Sequence, residues 1–363
     1  MKRLSDVCTK GSSNIAQKDL DSRNGNYPIY GASGFIKNVD FYHQEKPYIA
    51  IVKDGAGVGR VMKLPARSSV IGTMQYIIPN EGVSVDYLAY ALEHMNLSKY
   101  YLGAAIPHIY FKDYCDELLP NHTPEEQAKI SHILGLVCNS IFLRKQQLSK
   151  LDELVKSRFI EMFGDPETNP FEWEQVTVGN VCSSIVRGPF GSALKKEFFV
   201  EPTESTYKVY EQKHAIQKSA TIGTYYVSAE KYAELRRFEC VAGDILMSCS
   251  GTMGELYQLP QGCAKGIINQ ALCKFTLNDR ILPIVFLVYM RQIIGKLETK
   301  GSGIQNIAAV SYVKAMPINL PPMDIQKQFA AFVEQTDKSK FEIQQSLEKL
   351  ETLKKALMQK YFG

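Results

Sequence analysis

"KLDELVKSRFIEMFGDP" (150–166) and "KLETLKKALMQKYFG" (349–363) are two versions of one segment, and their spacing decides the fold. At an offset of 199 residues, without gaps, Gln127 aligns with Gln326, Phe142 with Phe341, Leu148 with Leu347, Lys150 with Lys349 and Leu151 with Leu350. The same register continues through Leu154 and Leu353, Lys156 and Lys355, Phe163 and Phe362, to Gly164 and Gly363. Such a match marks an internal duplication. Both copies predict helix. Thr123 can cap the first, Pro124 suits its first turn, Glu126 completes a capping box, and Gly164 before Asp165 and Pro166 stops it. Steps of four and three give a seam of Ile130, Leu134, Val137, Ile141, Leu148, Leu151 and Val155, interrupted by Arg144 and Arg158. In the second copy the seam is Phe329, Val333, Ile343, Leu347, Leu350 and Leu357, with polar residues between. Each helix would be about 40 residues and roughly 60 Å long.

Upstream of each helix lies a less regular stretch, with short β-branched and aromatic runs punctuated by Gly, Pro and Asn. Weaker echoes join the two stretches. "LSDVC" (4–8) answers "VGNVC" (178–182), "IAIVKDGAGVGRV" (49–61) resembles "DILMSCSGTMGELY" (244–257), and "IPHI" (106–109) answers "IQNI" (304–307). The expected class is α+β: two mixed α/β domains joined by two long antiparallel helices that form a coiled coil, with pseudo-twofold symmetry. Boundaries are expected at 1–120 for the first domain, 121–165 for the central helix, 166–321 for the second domain and 322–363 for the C-terminal helix.

A 363-residue chain with 45% apolar and 22% charged residues reads as globular and multidomain. Its longest apolar run, "ILPIVFLVYM", is too short for a membrane span, and the N-terminus has no apolar run behind its basic residues. The expectation is a soluble cytoplasmic protein. The eight cysteines never form C-x-x-C and no histidine stands at metal-ligand spacing from them, so no metal site is expected. A net charge of +4, spread along the chain, permits nucleic-acid binding without demanding it.

The layout, with "YPIYGASG" (27–34), "RGPFGSALKK" (187–196), "VAGDILMSCSGTMG" (241–254), "LPNHTPEEQAKI" (119–130), "LPPMDIQKQF" (320–329) and the two helix endings, resembles the specificity (S) subunit of type I restriction–modification enzymes. The resemblance covers nearly the whole chain, although the first half has no counterpart of "GPFGSALK". It implies two target-recognition domains, each reading one half of a bipartite double-stranded DNA site. It further implies helices that set the gap, two methyltransferase (M) subunits docked on the helical scaffold, and restriction (R) subunits in the full complex. The chain itself would hold no cofactor and catalyse nothing; S-adenosylmethionine would be bound by the methyltransferase.

Other chemistries find little footing. The Asn or Asp, Pro-Pro and aromatic signature of adenine methylation is absent, as is a G-x-x-x-x-G-K-[ST] loop. "DGAGVGR" (54–60) invites a phosphate-loop reading, but it lacks a downstream lysine, and a tight glycine turn between strands is the simpler account. "ETK" (298–300) and "SALK" (192–195) have catalytic spacings without catalytic surroundings. The rival of another class is a coiled-coil scaffold joining two protein-binding domains without DNA. DNA reading calls for cations, hydroxyls and amides. In the first half the candidates are Lys10, Ser12, Ser13, Lys53, Arg60, His108 and Tyr110. In the second they are Arg187, Ser192, Lys195, Lys196, Lys213, Arg236 and Arg237.

Overall fold

The computed structural model describes residues 1–101, 107–299 and 309–363. "IQNI", Ile106 of "IPHI" and Lys300 of "ETK" lie outside the described residues. The chain forms two compact units: Met1–Gln147 with Ile343–Gly363, and Leu148–Glu342. Both mix sheet and helix. Among the described residues no helix is long and apolar enough to cross a membrane. None of the eight cysteines is in a disulfide, and Cys8, Cys240, Cys249 and Cys273 are buried.

The first unit has strands β1 (Lys2–Arg3), β2 (Cys8–Ser12), β3 (Tyr27–Gly31), β4 (Gly34–Val39), β5 (Tyr48–Val52), β6 (Val61–Leu64), β7 (Ser69–Val70), β8 (Met74–Pro79) and β9 (Leu118–Leu119). They form an antiparallel sheet ordered β2-β8-β5-β6, a second sheet β4-β3-β7 in which β3 and β7 are parallel, and the pair β1-β9. Every residue of β5 is buried, which explains its unbroken apolar run. Helix Val85–His94 lays Leu88 and Leu92 against Ile49, Ile51 and Ile77.

In the second unit the strands are β10 (Glu174–Thr177), β11 (Cys182–Arg187), β12 (Tyr207–Tyr210), β13 (Tyr226–Val227), β14 (Glu239–Cys240), β15 (Ile245–Ser248), β16 (Leu256–Gln258), β17 (Gly266–Ile268), β18 (Leu272–Leu277) and β19 (Pro317–Leu320). Their orders are β11-β18-β15-β16, antiparallel, then β13-β12-β17-β14 with β12 and β17 parallel, and β10-β19. This repeats the first unit strand for strand, with β14 added. One of the echoes is thereby explained. "IAIVKDGAGVGRV" is the hairpin β5–β6 and "DILMSCSGTMGELY" is the hairpin β15–β16.

The central helix runs Pro124–Phe163 and the C-terminal helix Met323–Phe362, 40 residues each. At the start of the former, the Thr123 amide donates to the Glu126 carboxylate at 2.8 Å, and the Glu126 amide to the Thr123 hydroxyl at 3.3 Å. At its end Gly164 adopts φ +78°, and a Cβ there would meet Pro170 at 2.5 Å. Within each unit the helical segments lie antiparallel. Lys145 pairs with Glu351 in the first unit, and in the second Lys340 pairs with Asp152 while Phe329 meets Phe159 and Phe163.

Repeat positions answer one another in burial. Ile130 and Phe329, Leu134 and Val333, Phe159 and Met358, Phe163 and Phe362 are all buried. Of the expected seam, Val137, Val155 and Leu347 are also buried, whereas Ile141, Leu148, Leu151, Ile343, Leu350 and Leu357 are half-buried. The seam expectation missed Phe159 and Met358, because a 3.5-residue step drifts off a 3.6-residue helix over ten turns. Arg158, placed on the seam by that step, bonds Glu161 at 2.7 Å and lies over the Phe332 ring.

Gln127 and Gln326, the first matched pair, are both buried and do the same work. Gln127 accepts from the Ser84 amide at 2.9 Å and donates to the His122 carbonyl at 3.0 Å. Gln326 accepts from the Leu282 amide at 2.8 Å and donates to the carbonyls of Pro321 and Arg280. Each ties the start of a long helix to the start of a shorter one, Val85–His94 or Pro283–Thr299, by satisfying a helix-initial amide.

Candidate nucleic-acid interface

In the first unit, Lys53 follows β5 directly and Arg60 precedes β6. The turn between them is closed by Gly59 N–H to Val52 O (2.9 Å) and Val52 N–H to Arg60 O (3.0 Å). The amides of Gly55, Val58 and Arg60 go to the carbonyls of Pro107, Gly55 and Gly57. These amides face carbonyls of the fold, as in a tight hairpin turn rather than a phosphate cradle. The Arg60 guanidinium donates to Ala32 O at 2.9 Å, which fastens the β3–β4 hairpin tip to this turn. Gly55 and Lys53 also bond the backbone of Pro107 and Ile109, so His108 and Tyr110 arrive beside them, their rings 5.1 Å apart.

Two chain segments thus bring Lys53, Arg60, His108 and Tyr110 to one end of the sheet, with the β3–β4 tip fastened beside them. Lys53 is also paired with Asp54 at 2.5 Å. Ser12 lies level with Gln75 and Ile51 at that same end, while Lys10 lies two residues further along. Ser13 is buried and accepts from the Ile15 amide, which withdraws it from solvent. Phe35, 59% exposed, stands at the hairpin tip edge-on to Tyr30.

In the second unit Arg187 ends β11, where it is level with Cys273 and Met247. Its Nε donates to Gln270 O at 2.9 Å, and its Nη2 reaches Cys249 O at 3.5 Å. The guanidinium therefore braces the turn at 269–271 and the loop after β15. Ser192, Lys195 and Lys196 are exposed beyond it, and Lys195 lies 3.6 Å from Glu197. Lys213 lies in the short helix Gln212–Ile216 after β12, pairs with Glu211 at 2.7 Å and lies 5.4 Å from the Tyr225 ring centroid. Because β14 runs antiparallel to β17, its start lies where β17 finishes; exposed Arg236 and Arg237 immediately precede that start.

His214 is fully buried beneath this surface. The Glu211 amide donates to its Nδ1 at 2.8 Å, so the other nitrogen, Nε2, carries the hydrogen toward Ile222 O at 2.8 Å. Burial holds its pKa below the ordinary value of 6.5. Burial likewise lowers the pKa of Lys208, whose ammonium contacts Thr221 O at 3.4 Å. Among the described residues no cluster of His, Cys, Asp or Glu could hold a metal ion.

Tyr110, 50% exposed, is an aromatic of these surfaces expected from sequence; Phe35 and Phe190, also exposed, are not among the expected residues. Their signal was an aromatic set among glycines, "GASGF" and "GPFG".

The fold and these surfaces agree with comparisons to known proteins. The family model for the type I restriction modification DNA specificity domain matches residues 1–153 and 170–355. A curated relative, the specificity subunit of the type I restriction enzyme MjaVIII of Methanocaldococcus jannaschii, is 25% identical over 202 residues. That match covers 53% of this chain and spans only 42% of the relative's length. Among solved structures, the S subunit of a type I restriction–modification system from M. genitalium superposes with a TM-score of 0.58 at 15% identity, covering 100% of this chain and 95% of that one. A chain from a type I system described for its complex assembly and conformational transition gives 0.55 at 14% identity, over 99% and 96%. With its two copies of one sheet topology and a family match over most of its length, the chain belongs to the type I restriction modification DNA specificity family.

Proposed function

We propose that this chain is the DNA-recognition subunit of a type I restriction–modification complex. In this role each globular unit reads one half of a bipartite double-stranded site. The observation that carries the reading is that one sheet topology occurs twice, and in each unit one sheet end gathers cations and an exposed aromatic from separate loops. Cations engage phosphates, and amide, guanidinium and aromatic groups address bases. The helix pair sets the gap between half-sites. The chain performs no chemistry itself; methylation belongs to partner subunits that bind S-adenosylmethionine, and cleavage to restriction subunits.

Two methyltransferase subunits dock on the helices in this reading. What supports it is a second feature of the repeat: Phe142 and Phe341, 58% and 64% exposed, occupy matched positions, as do exposed Leu154 and Leu353. The same apolar residue shown to solvent at the same place in two units suits two copies of one partner.

The test mixes the chain with the methyltransferase encoded beside it and selects from a random DNA pool. A split motif is expected. Deleting four residues of the central helix shortens it by about 6 Å, and should change the gap while leaving the half-sites intact. Selection of no split motif would overturn the reading in favour of a scaffold without DNA.

A further inference from the structure

Phe190 stands 68% exposed on the loop that leaves β11, although burying a phenylalanine is worth about 1.5–3 kcal/mol. The loop beneath it is closely tied to the fold. Gly188 donates to Leu272 O at 3.0 Å and packs so near the 269–270 turn that a Cβ would meet the Asn269 carbonyl oxygen at 1.9 Å. Pro189 is buried and fixes its own φ, and Gly191 takes φ +69°, where glycine is favoured. The Arg187 guanidinium, held by the Gln270 carbonyl, lies 5.5 Å from the ring centroid. A pinned backbone therefore holds the ring outward.

Its surroundings suit nucleic acid better than protein. An aromatic anchor for a protein sits inside a rim of other side chains that excludes water. Around Phe190 the loop offers Gly188, Gly191 and Ser192, then exposed Lys195 and Lys196. Small residues allow close approach, cations flank the ring, and a lone apolar ring between them is the composition of a wedge that parts a base step. The exposed aromatics of the first unit differ, since Phe35 leans edge-on against Tyr30 at 6.0 Å and Tyr110 edge-on against His108 at 5.1 Å.

We infer that Phe190 is a wedge residue that enters the base stack of the half-site read by the second unit, with Arg187 positioning it, and that the first half-site is read without such a wedge. This rests on the DNA reading above.

The experiment uses the full chain in complex with its methyltransferase, and DNA carrying the selected motif with 2-aminopurine placed at successive steps of both half-sites. Apart from any rise at the methylated bases, which the methyltransferase itself extrudes, fluorescence is expected to rise at one step of one half-site only. Phe190→Ala should abolish that rise and weaken binding about tenfold, the loss of one stacked base, while Phe190→Trp keeps the rise. The thermal midpoint should not move, because the ring is exposed. A rise outside the methylated bases that persists in Phe190→Ala, no Phe190-dependent rise at any step, or matching Phe190-dependent rises in both half-sites would overturn the wedge while leaving the DNA reading standing. Phe190→Ala that loses methyltransferase capture but retains DNA affinity would make the ring a protein contact and overturn it too. Failure of the wild-type complex to select a split motif would instead sink the DNA reading itself.

Discussion

In the first unit the segment that leaves β2 turns back at once: Ser13 is buried, and the Gly72 amide bonds Ile15 O at 2.7 Å. In the second the topologically equivalent segment leaves β11 through Gly188 and Pro189 and carries Phe190 into solvent. The strands around the two exits have the same order and sense. Topology therefore fixes where a loop leaves the sheet, and the residues beyond the exit decide whether it folds back or reaches out. Two domains from one duplication can in this way present different surfaces without altering their cores.

The comparison can be broken hardest at the helix ends. Phe159 touches Phe163 at 4.8 Å and Tyr289 and Phe329 at 5.7 Å, and its repeat partner Met358 sits in the core of the first unit. Phe159→Ala should destabilise the second unit by about 3–5 kcal/mol and Met358→Ala the first by about 2–5 kcal/mol, read by urea unfolding. Equal losses in both units from either change would contradict separate cores.

The two buried glutamines come next. Gln127→Ala and Gln326→Ala each leave a helix-initial amide without its acceptor, for a cost of about 1–3 kcal/mol. The Gln326 change should be the larger, because Gln326 donates to two carbonyls where Gln127 donates to one. Calorimetry of the two variants checks the order.

A pH series sharpens the contrast more gently. His214 is neutral when folded, so as pH falls below about 6.5 the unfolded chain binds a proton that the folded one resists. Stability of the second unit should drop as pH falls from that point, by up to about 1.4 kcal/mol per unit until the lowered folded pKa is reached. His214→Gln should flatten that slope; a slope unchanged by the substitution would remove histidine as its cause. The smallest effect is expected at the interhelical ion pairs. Removing Lys340, 25% exposed beside Asp152, should cost less than about 1 kcal/mol and fade with salt, and Lys145 beside Glu351, 58% exposed, less still.

Much of this architecture was legible in the chain. The offset repeat announced the paired helices, Thr123 and Gly164 marked the ends of one, and the "IAIVKDGAGVGRV" echo pointed to matched hairpins. Less legible was anything set by tertiary position. Phe159 and Met358 fell off the seam because a 3.5-residue step drifts off a 3.6-residue helix, and which residues then face a core depends on what packs there. Ser13 read as a polar loop residue, yet the fold turns it inward. Phe190 was passed over because, in sequence, an aromatic among glycines does not reveal which way it faces.

The sharing of each long helix between units also bears on synthesis. The first unit takes Met358 and Phe362 into a core begun by Leu4, whereas the second is composed of one uninterrupted stretch, Leu148–Glu342. On the ribosome the second unit has all its residues before the first does. Chain order and folding order should therefore be inverted, the early residues waiting, partly assembled, for the late ones to emerge.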